Sequence, residues 1–257
     1  MKIQYCSDIH LEMNTNKAYL LQHPIDPVGE VLLLAGDITN AKYYDDPRPV
    51  EKQFFKTLSQ QFERVFIIAG NHEFYRSWDI SVLEKPLLKE IEKNVFLLNN
   101  QTIVYKEVAF FFTTLWSEIN QLDEVYVKRS MPDFSLITHY RKSLLVKHYN
   151  ELHKQALAFL DKSLSQTGNL KKMVVSHHLP SLQCVHADHV GSSLGSAFAT
   201  DLDAFILQHQ PDYWVYGHSH RNMPDIEIGK TKLVTNQLGY VPYQEHYSWE
   251  SAKFFEL

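Results

Sequence analysis

Five short clusters of oxygen- and nitrogen-bearing side chains recur along the chain, each just after an apolar run: Asp8-Ile9-His10, Gly36-Asp37, Gly70-Asn71-His72-Glu73, Ser176-His177-His178 and Gly217-His218-Ser219-His220. Carboxylate, amide and imidazole are hard to borderline metal donors, and no thiolate stands among them. That mixture suits Mn²⁺, Fe²⁺ or Zn²⁺ rather than an iron–sulfur cluster or a cysteine-bound structural zinc. Asp8, His10, Asp37, Asn71, His177, His218 and His220 make seven candidate ligands, more than one ion needs. Two divalent metal ions sharing a carboxylate is the economical arrangement. Paired ions ~3.5–4 Å apart serve phosphoryl hydrolysis by clamping the attacking and leaving oxygens. Asp8 and His10 are two residues apart, as are His218 and His220, so an extended backbone would turn both members of a pair to one side. Glycines at 36, 70 and 217 permit tight turns onto a common centre.

Strands must deliver these clusters. Val31–Ala35 and Arg64–Ala69 are nearly continuous apolar runs, as strands covered on both faces require. Pro49–Phe62 reads as an amphipathic helix with Phe54, Phe55, Leu58 and Phe62 on one side, and Asp79–Lys93 as a second helix that Pro86 kinks or breaks. Val95–Leu98, Ile103–Tyr105 and Val108–Thr113 follow as strands, with hairpin turns at Asn99-Asn100 and Lys106-Glu107. A long helix is expected over His139–Leu164, strands at Met173–Val175 and Tyr213–Tyr216, a helix at Asp201–His209, and late strands at Ile226–Ile228, Lys232–Thr235 and Ala252–Phe255. Residues 116–136 and 181–198 have no regular pattern and are expected to rim a pocket. Each cluster thus sits where ligands bind in open α/β sheets, beyond a strand's carboxyl end. One α/β domain over residues 1–257, with two sheets, fits this order.

The 257 residues are 44% hydrophobic and 21% charged, which is ordinary globular composition. The net charge of -5 and the lack of a basic stripe argue against general nucleic-acid binding. Two cysteines, Cys6 and Cys184, form no disulfide framework and suggest a reducing compartment. With no signal-like start and no apolar run of the ~20 residues that a membrane helix needs, a cytoplasmic protein is expected.

The clusters, taken in order, resemble the calcineurin-like metallophosphoesterase superfamily, whose pattern D-x-H, G-D, G-N-H-[DE], H, G-H-x-H is complete from Asp8 to His220. The resemblance implies a four-layer α/β/β/α sandwich of two mixed sheets flanked by helices. It also implies a metal held by Asp8, His10 and His220, a second held by Asn71, His177 and His218, and Asp37 bridging. A metal-bridging hydroxide would attack phosphorus, and His72 would protonate the departing oxygen. In the family the first histidine of a pair carries the metal, so His177 is preferred, and His178 would stand behind the ligands or face substrate. Protein Ser/Thr phosphatases continue the second cluster as G-D-x-V-D-R-G and precede Gly-Asn-His with Arg. Here Ile38-Thr39-Asn40-Ala41 and Ala69 stand instead, so both phosphate-gripping arginines are missing. Asn40 occupies the place where many relatives orient the catalytic histidine with a carboxylate, and where purple acid phosphatases have a tyrosine ligand.

The implied activity is hydrolysis of small phosphomono- or phosphodiesters, with no membrane partner. A nuclease acting on DNA or RNA ends shares the chemistry but calls for a basic groove. A non-catalytic scaffold on the same fold would typically have lost ligands, and this chain has lost none. Of the remaining groups, Tyr75 and Trp116 suit an aromatic wall or packing equally. His186 and His189 fit surface loop residues better than phosphate contacts, His139, His148, His153 and His209 face solvent on helices, and Glu73 reads most plainly as a surface carboxylate at a helix start.

Overall fold

A computed structural model describes all residues, 1–257. In chain order the strands are β1 (Lys2–Cys6), β2 (Val31–Leu34), β3 (Arg64–Ile68), β4 (Leu87–Glu92), β5 (Val95–Asn99), β6 (Gln101–Tyr105), β7 (Val108–Phe112), β8 (Thr138–His139), β9 (Lys142–Ser143), β10 (Lys171–Val175), β11 (Tyr213–Tyr216), β12 (Ile226–Ile228), β13 (Thr231–Thr235) and β14 (Phe254–Glu256). The helices are α1 (Asn14–Gln22), α2 (Pro49–Gln61), α3 (Glu124–Ser130), α4 (Asp133–Leu136), α5 (Val146–Gln166) and α6 (Asp203–His209).

Two six-stranded sheets form, in the orders β14-β1-β2-β3-β5-β4 and β12-β13-β11-β10-β7-β6. In each, four parallel strands occupy the centre and an antiparallel strand closes either edge. The runs Val31–Leu34 and Val108–Phe112 are buried at every residue because both faces of their sheets are covered. Inner faces meet through Tyr5, Leu33, Phe66, Phe110, Phe112, Met173 and Val215. On the outer face of the first sheet, Leu32, Leu34, Val65 and Ile67 pack with Phe55 and Leu58 of α2. On the second, Phe111, Val174 and Trp214 pack with Leu160 and Leu164 of α5 and Ile206 of α6. The layers are therefore helix, sheet, sheet, helix. No helix is long and apolar enough to cross a membrane.

Three expectations change. Asp79–Lys93 is not a helix: a 3₁₀ turn spans Ile80–Glu84, and Leu87–Glu92 is the edge strand β4, paired with β5. Pro86 lacks the N–H a helix needs there, and pairing with β5 satisfies the segment as a strand. The long helix begins at Val146 rather than His139, because Thr138–Ser143 folds into the small β8–β9 hairpin. Asn99-Asn100 is no hairpin turn either. It carries the chain from β5 in one sheet to β6 in the other, with Asn100 at φ 50°. Lys106-Glu107 does turn the β6–β7 hairpin.

Candidate metal centre

All seven candidate ligands follow the carboxyl ends of central parallel strands: Asp8 and His10 after β1, Asp37 after β2, Asn71 after β3, His177 after β10, and His218 and His220 after β11. Both sheets thus point the same end of their central strands at one place. Sequence spacing suggested extended backbone at the two Asp/His and His/His pairs, and this is corrected. Asp8, His10, Asp37, His218 and His220 all have positive φ, between 52° and 76°. Non-glycine residues in this region cost of order 1–3 kcal/mol each and persist where the surroundings over-determine them. Gly36 is at φ +91°, and a side chain there would collide with the His177 ring. At Gly70 the need is for space: a Cβ would strike Asp37 and lie 2.7 Å from His177 Nε2.

The side chains converge as two donor groups that share Asp37. Asp8, His10, Asp37 and His220 bring one ligand atom each within 4.8 Å of one another, and Asp37, His177 and His218 do the same. His10 Nε2 lies 3.0 Å from His220 Nε2, and His220 Nε2 lies 3.3 Å from Asp8 Oδ1. His177 Nε2 is 3.2 Å from Asn71 Oδ1, 3.2 Å from His218 Nδ1 and 3.4 Å from Asp37 Oδ2. The outward nitrogens are already committed. His10 Nδ1 bonds Glu12 at 2.9 Å, His220 Nδ1 bonds Glu245 at 2.8 Å, and His177 Nδ1 donates to the Ala35 carbonyl at 2.9 Å. Asn71 donates its amide N–H to Tyr75 and Asp133, which turns its oxygen inward.

Imidazole, amide and carboxylate donor atoms therefore face one another at hydrogen-bond distance. Such a nest needs positive charge at its centre, and the O/N donor set fits divalent Mn, Fe or Zn. Without metal, protons supply that charge. Although burial opposes it, Asp37 raises the His177 pKa to about 9, and Asp8 and Glu245 raise His220 to about 10. Burial likewise works against ionised Asp37, yet His177 and His72 hold its carboxyl well below the usual range.

His72 stands beside the nest. Its backbone N–H donates to Asp37 Oδ1 at 2.9 Å, its Nδ1 bonds Glu12 Oε1 at 3.2 Å, and its Nε2 meets the Tyr240 hydroxyl at 3.1 Å. Burial favours neutral imidazole, but Asp37 and Glu12 outweigh it and raise the His72 pKa. Asn40, expected to orient this ring, instead donates to the His72 backbone carbonyl at 3.0 Å. The carboxylate on the ring is Glu12, which sequence reasoning missed. Burial raises the Glu12 pKa, and His10 and His72 outweigh that to hold it at about 2. Its only signal in sequence is its position two residues beyond His10. Glu245, from the C-terminal segment, was also missed, and it is distant from every cluster.

Glu73 is not a surface carboxylate. It is fully buried and accepts backbone N–H bonds from Asp37, Ile38 and Gly70, tying the second cluster to the third. His178 is buried and does not line the cleft: its Nε2 lies 2.8 Å from the Tyr149 hydroxyl, and its ring lies 4.1 Å from that of His218. Trp116 is core, packed edge-on to Tyr149, whereas Tyr75 lines the cleft. His153 is buried and donates from Nδ1 to the Leu115 carbonyl. Cys6 is a buried core residue of β1.

The centre opens into a cleft of about 290 Å³ whose rim draws on Ser130–Asp133 from one irregular segment and His189, Leu194 and Phe198 from the other. Arg221 is its one Lys or Arg.

The description "calcineurin-like phosphoesterase" belongs to the family model that matches residues 1–222. An uncharacterized protein of Acanthamoeba polyphaga mimivirus is 30% identical over 261 residues, covering 93% of this chain and 91% of its own. Among solved structures, phosphopantetheinyl hydrolase from Mycobacterium tuberculosis superposes with a TM-score of 0.67 at 14% identity, over 96% of this chain and 94% of that one. A dimetal phosphatase from Danio rerio gives 0.54 at 13% identity, over 92% and 87%. At these identities the two structures speak for the fold.

Proposed function

Because the chain belongs to the calcineurin-like phosphoesterase family, we propose that it hydrolyses small phosphate esters, phosphodiesters ahead of protein substrates, with two divalent cations. Asp8, His10 and His220 would hold one cation, Asn71, His177 and His218 would hold the other, and Asp37 would serve both. The observation that carries this reading is the convergence of imidazole and carboxylate ligand atoms on the shared Asp37, with His10 and His220 nitrogens 3.0 Å apart. When bound, such cations supply Lewis-acid activation of water and neutralise charge on phosphoryl oxygens.

The chain's own residues do the rest. His72, buttressed by Glu12, holds a proton at Nε2 for the departing oxygen. The Tyr240 hydroxyl lies 3.1 Å from that nitrogen. Arg221 is the one lysine or arginine lining the cleft, and it lies 3.8 Å from Glu245. A cleft of about 290 Å³ with a single arginine supports a small substrate over a nucleic-acid strand, which needs a row of cations along its backbone.

Protein loaded with Mn²⁺ is expected to hydrolyse bis-p-nitrophenyl phosphate, and a panel of cyclic nucleotides, sugar phosphates and phosphopantetheinyl esters would then narrow the substrate. The last is included because of the mycobacterial fold neighbour. A manganese-loaded protein inert to both mono- and diester model substrates would end the proposal. Replacing Glu12 by glutamine keeps a neutral acceptor of the same shape but removes the anion that favours protonated His72. Turnover is expected to fall about 10- to 100-fold, more for alkyl than for p-nitrophenyl leaving groups, since good leaving groups need no proton. Equal losses on both would mean that Glu12 acts only through His10 and the metal.

A further inference from the structure

Beside the polar cleft lies a second cavity, of about 160 Å³, with a different character. Its walls are Leu179, Val185, Leu194 and Phe198, its polar groups are histidine and serine side chains, and none is Lys, Arg, Asp or Glu. His189, Leu194, Phe198 and Ser219 line both spaces, so the slot adjoins the cleft. Phe198 also connects the two physically, its ring lying 4.5 Å from that of the candidate ligand His218.

The size is informative. An apolar cavity of about 150 Å³ takes a benzene ring, and this slot is of that order. A second phosphate or a charged sugar phosphate would be stripped of water there with no ionic partner, which is costly. An uncharged ring loses apolar surface to water instead, worth about 10- to 100-fold in affinity for a phenyl-sized group.

The geometry points to this slot as the subsite for an uncharged, single-ring organic group of the substrate ester, so that ring size and lack of charge next to the phosphoryl group set specificity. His186 and His189 are then walls of that subsite rather than free loop residues or phosphate ligands. The inference rests on the phosphoesterase reading for the phosphoryl end only, and the test separates the two.

Equilibrium binding of methylphosphonate and benzylphosphonate, neither of which is hydrolysed, would be measured by calorimetry on manganese-loaded protein. Separately, 4-fluorobenzyl alcohol would be titrated into metal-free protein and followed by ¹⁹F NMR. Benzylphosphonate is expected to bind about 10- to 100-fold tighter than methylphosphonate, and the fluorinated alcohol to show a saturable shift. Val185→Trp fills the slot without touching any candidate ligand. It should bring the two phosphonates within about twofold of each other and abolish the ¹⁹F shift, with Leu194→Trp as the second variant should the first misfold. Equal binding of the two phosphonates by the unaltered protein, no ¹⁹F shift, or an undiminished preference in both filled variants would each overturn the subsite. Binding of the alcohol with neither phosphonate bound would leave the slot standing and count against the metal-centred reading instead.

Discussion

Asp37→Asn is expected to reduce turnover on bis-p-nitrophenyl phosphate by about 10³-fold or more, because it removes the only carboxylate common to both donor groups. The two side chains have the same shape, so packing at this buried position is little disturbed. What changes is charge. Asp37 is surrounded by His10, His72 and His177, and its anion balances whatever positive charge sits among them. Several kcal/mol of charge stabilisation are lost when a metal's environment is neutralised in this way, and each 1.36 kcal/mol is tenfold in rate. Metal content per chain should fall as well, measured by elemental analysis after dialysis against excess Mn²⁺. A variant that retains two manganese ions with unaltered affinity would show that Asp37 is not shared. Circular dichroism on the same sample separates this outcome from misfolding.

His72→Ala should have the opposite metal behaviour with a comparable kinetic loss. No candidate ligand position is touched, so bound metal is expected to stay within about twofold of the unaltered protein, while turnover falls about 10²- to 10⁴-fold, the range for a general acid. The loss should grow as the leaving alcohol becomes more basic, because an alkoxide departs far less readily than p-nitrophenolate. A pH profile adds a signed test. Burial disfavours the imidazolium, but Asp37 and Glu12 raise the His72 pKa, so the acid form survives to higher pH than for an ordinary histidine. Activity that depends on that proton is present below the raised pKa and lost as pH climbs through it. Glu12→Gln should therefore move the alkaline limb to lower pH, and His72→Ala should remove it. An alkaline limb unmoved by either substitution would assign it to another group, and loss of metal in His72→Ala would place this histidine among the ligands.

These expectations depend on residues that sequence and structure disclose unequally. The five clusters announce themselves because metal donors are rare at strand ends and the spacing is local, a matter of neighbours in the chain. The buried runs Val31–Leu34 and Val108–Phe112 are legible for a similar reason: a strand covered on both faces must be apolar throughout. Asp79–Lys93 misled because the partner that makes the segment a strand, β5, becomes decisive only in three dimensions. Asn99-Asn100 misled in the same way, since a turn between two strands does not state whether they join one sheet or two.

The sequence by itself determined the donor chemistry, the α/β class and the family, because each is written in residue type and local order. Tertiary structure alone decided which carboxylate braces His72. Position 40 carries an amide, and Glu12 reaches the ring from beyond β1. It alone decided that Glu73 is an interior strut, that Glu245 backs His220 from the far end of the chain, and that an apolar slot opens beside His218. The physical reason is common to all of these. Hydrogen bonds and cavities depend on distance in space, and the two sheets bring together residues that the chain separates by up to more than two hundred positions, as His10 and His220 are.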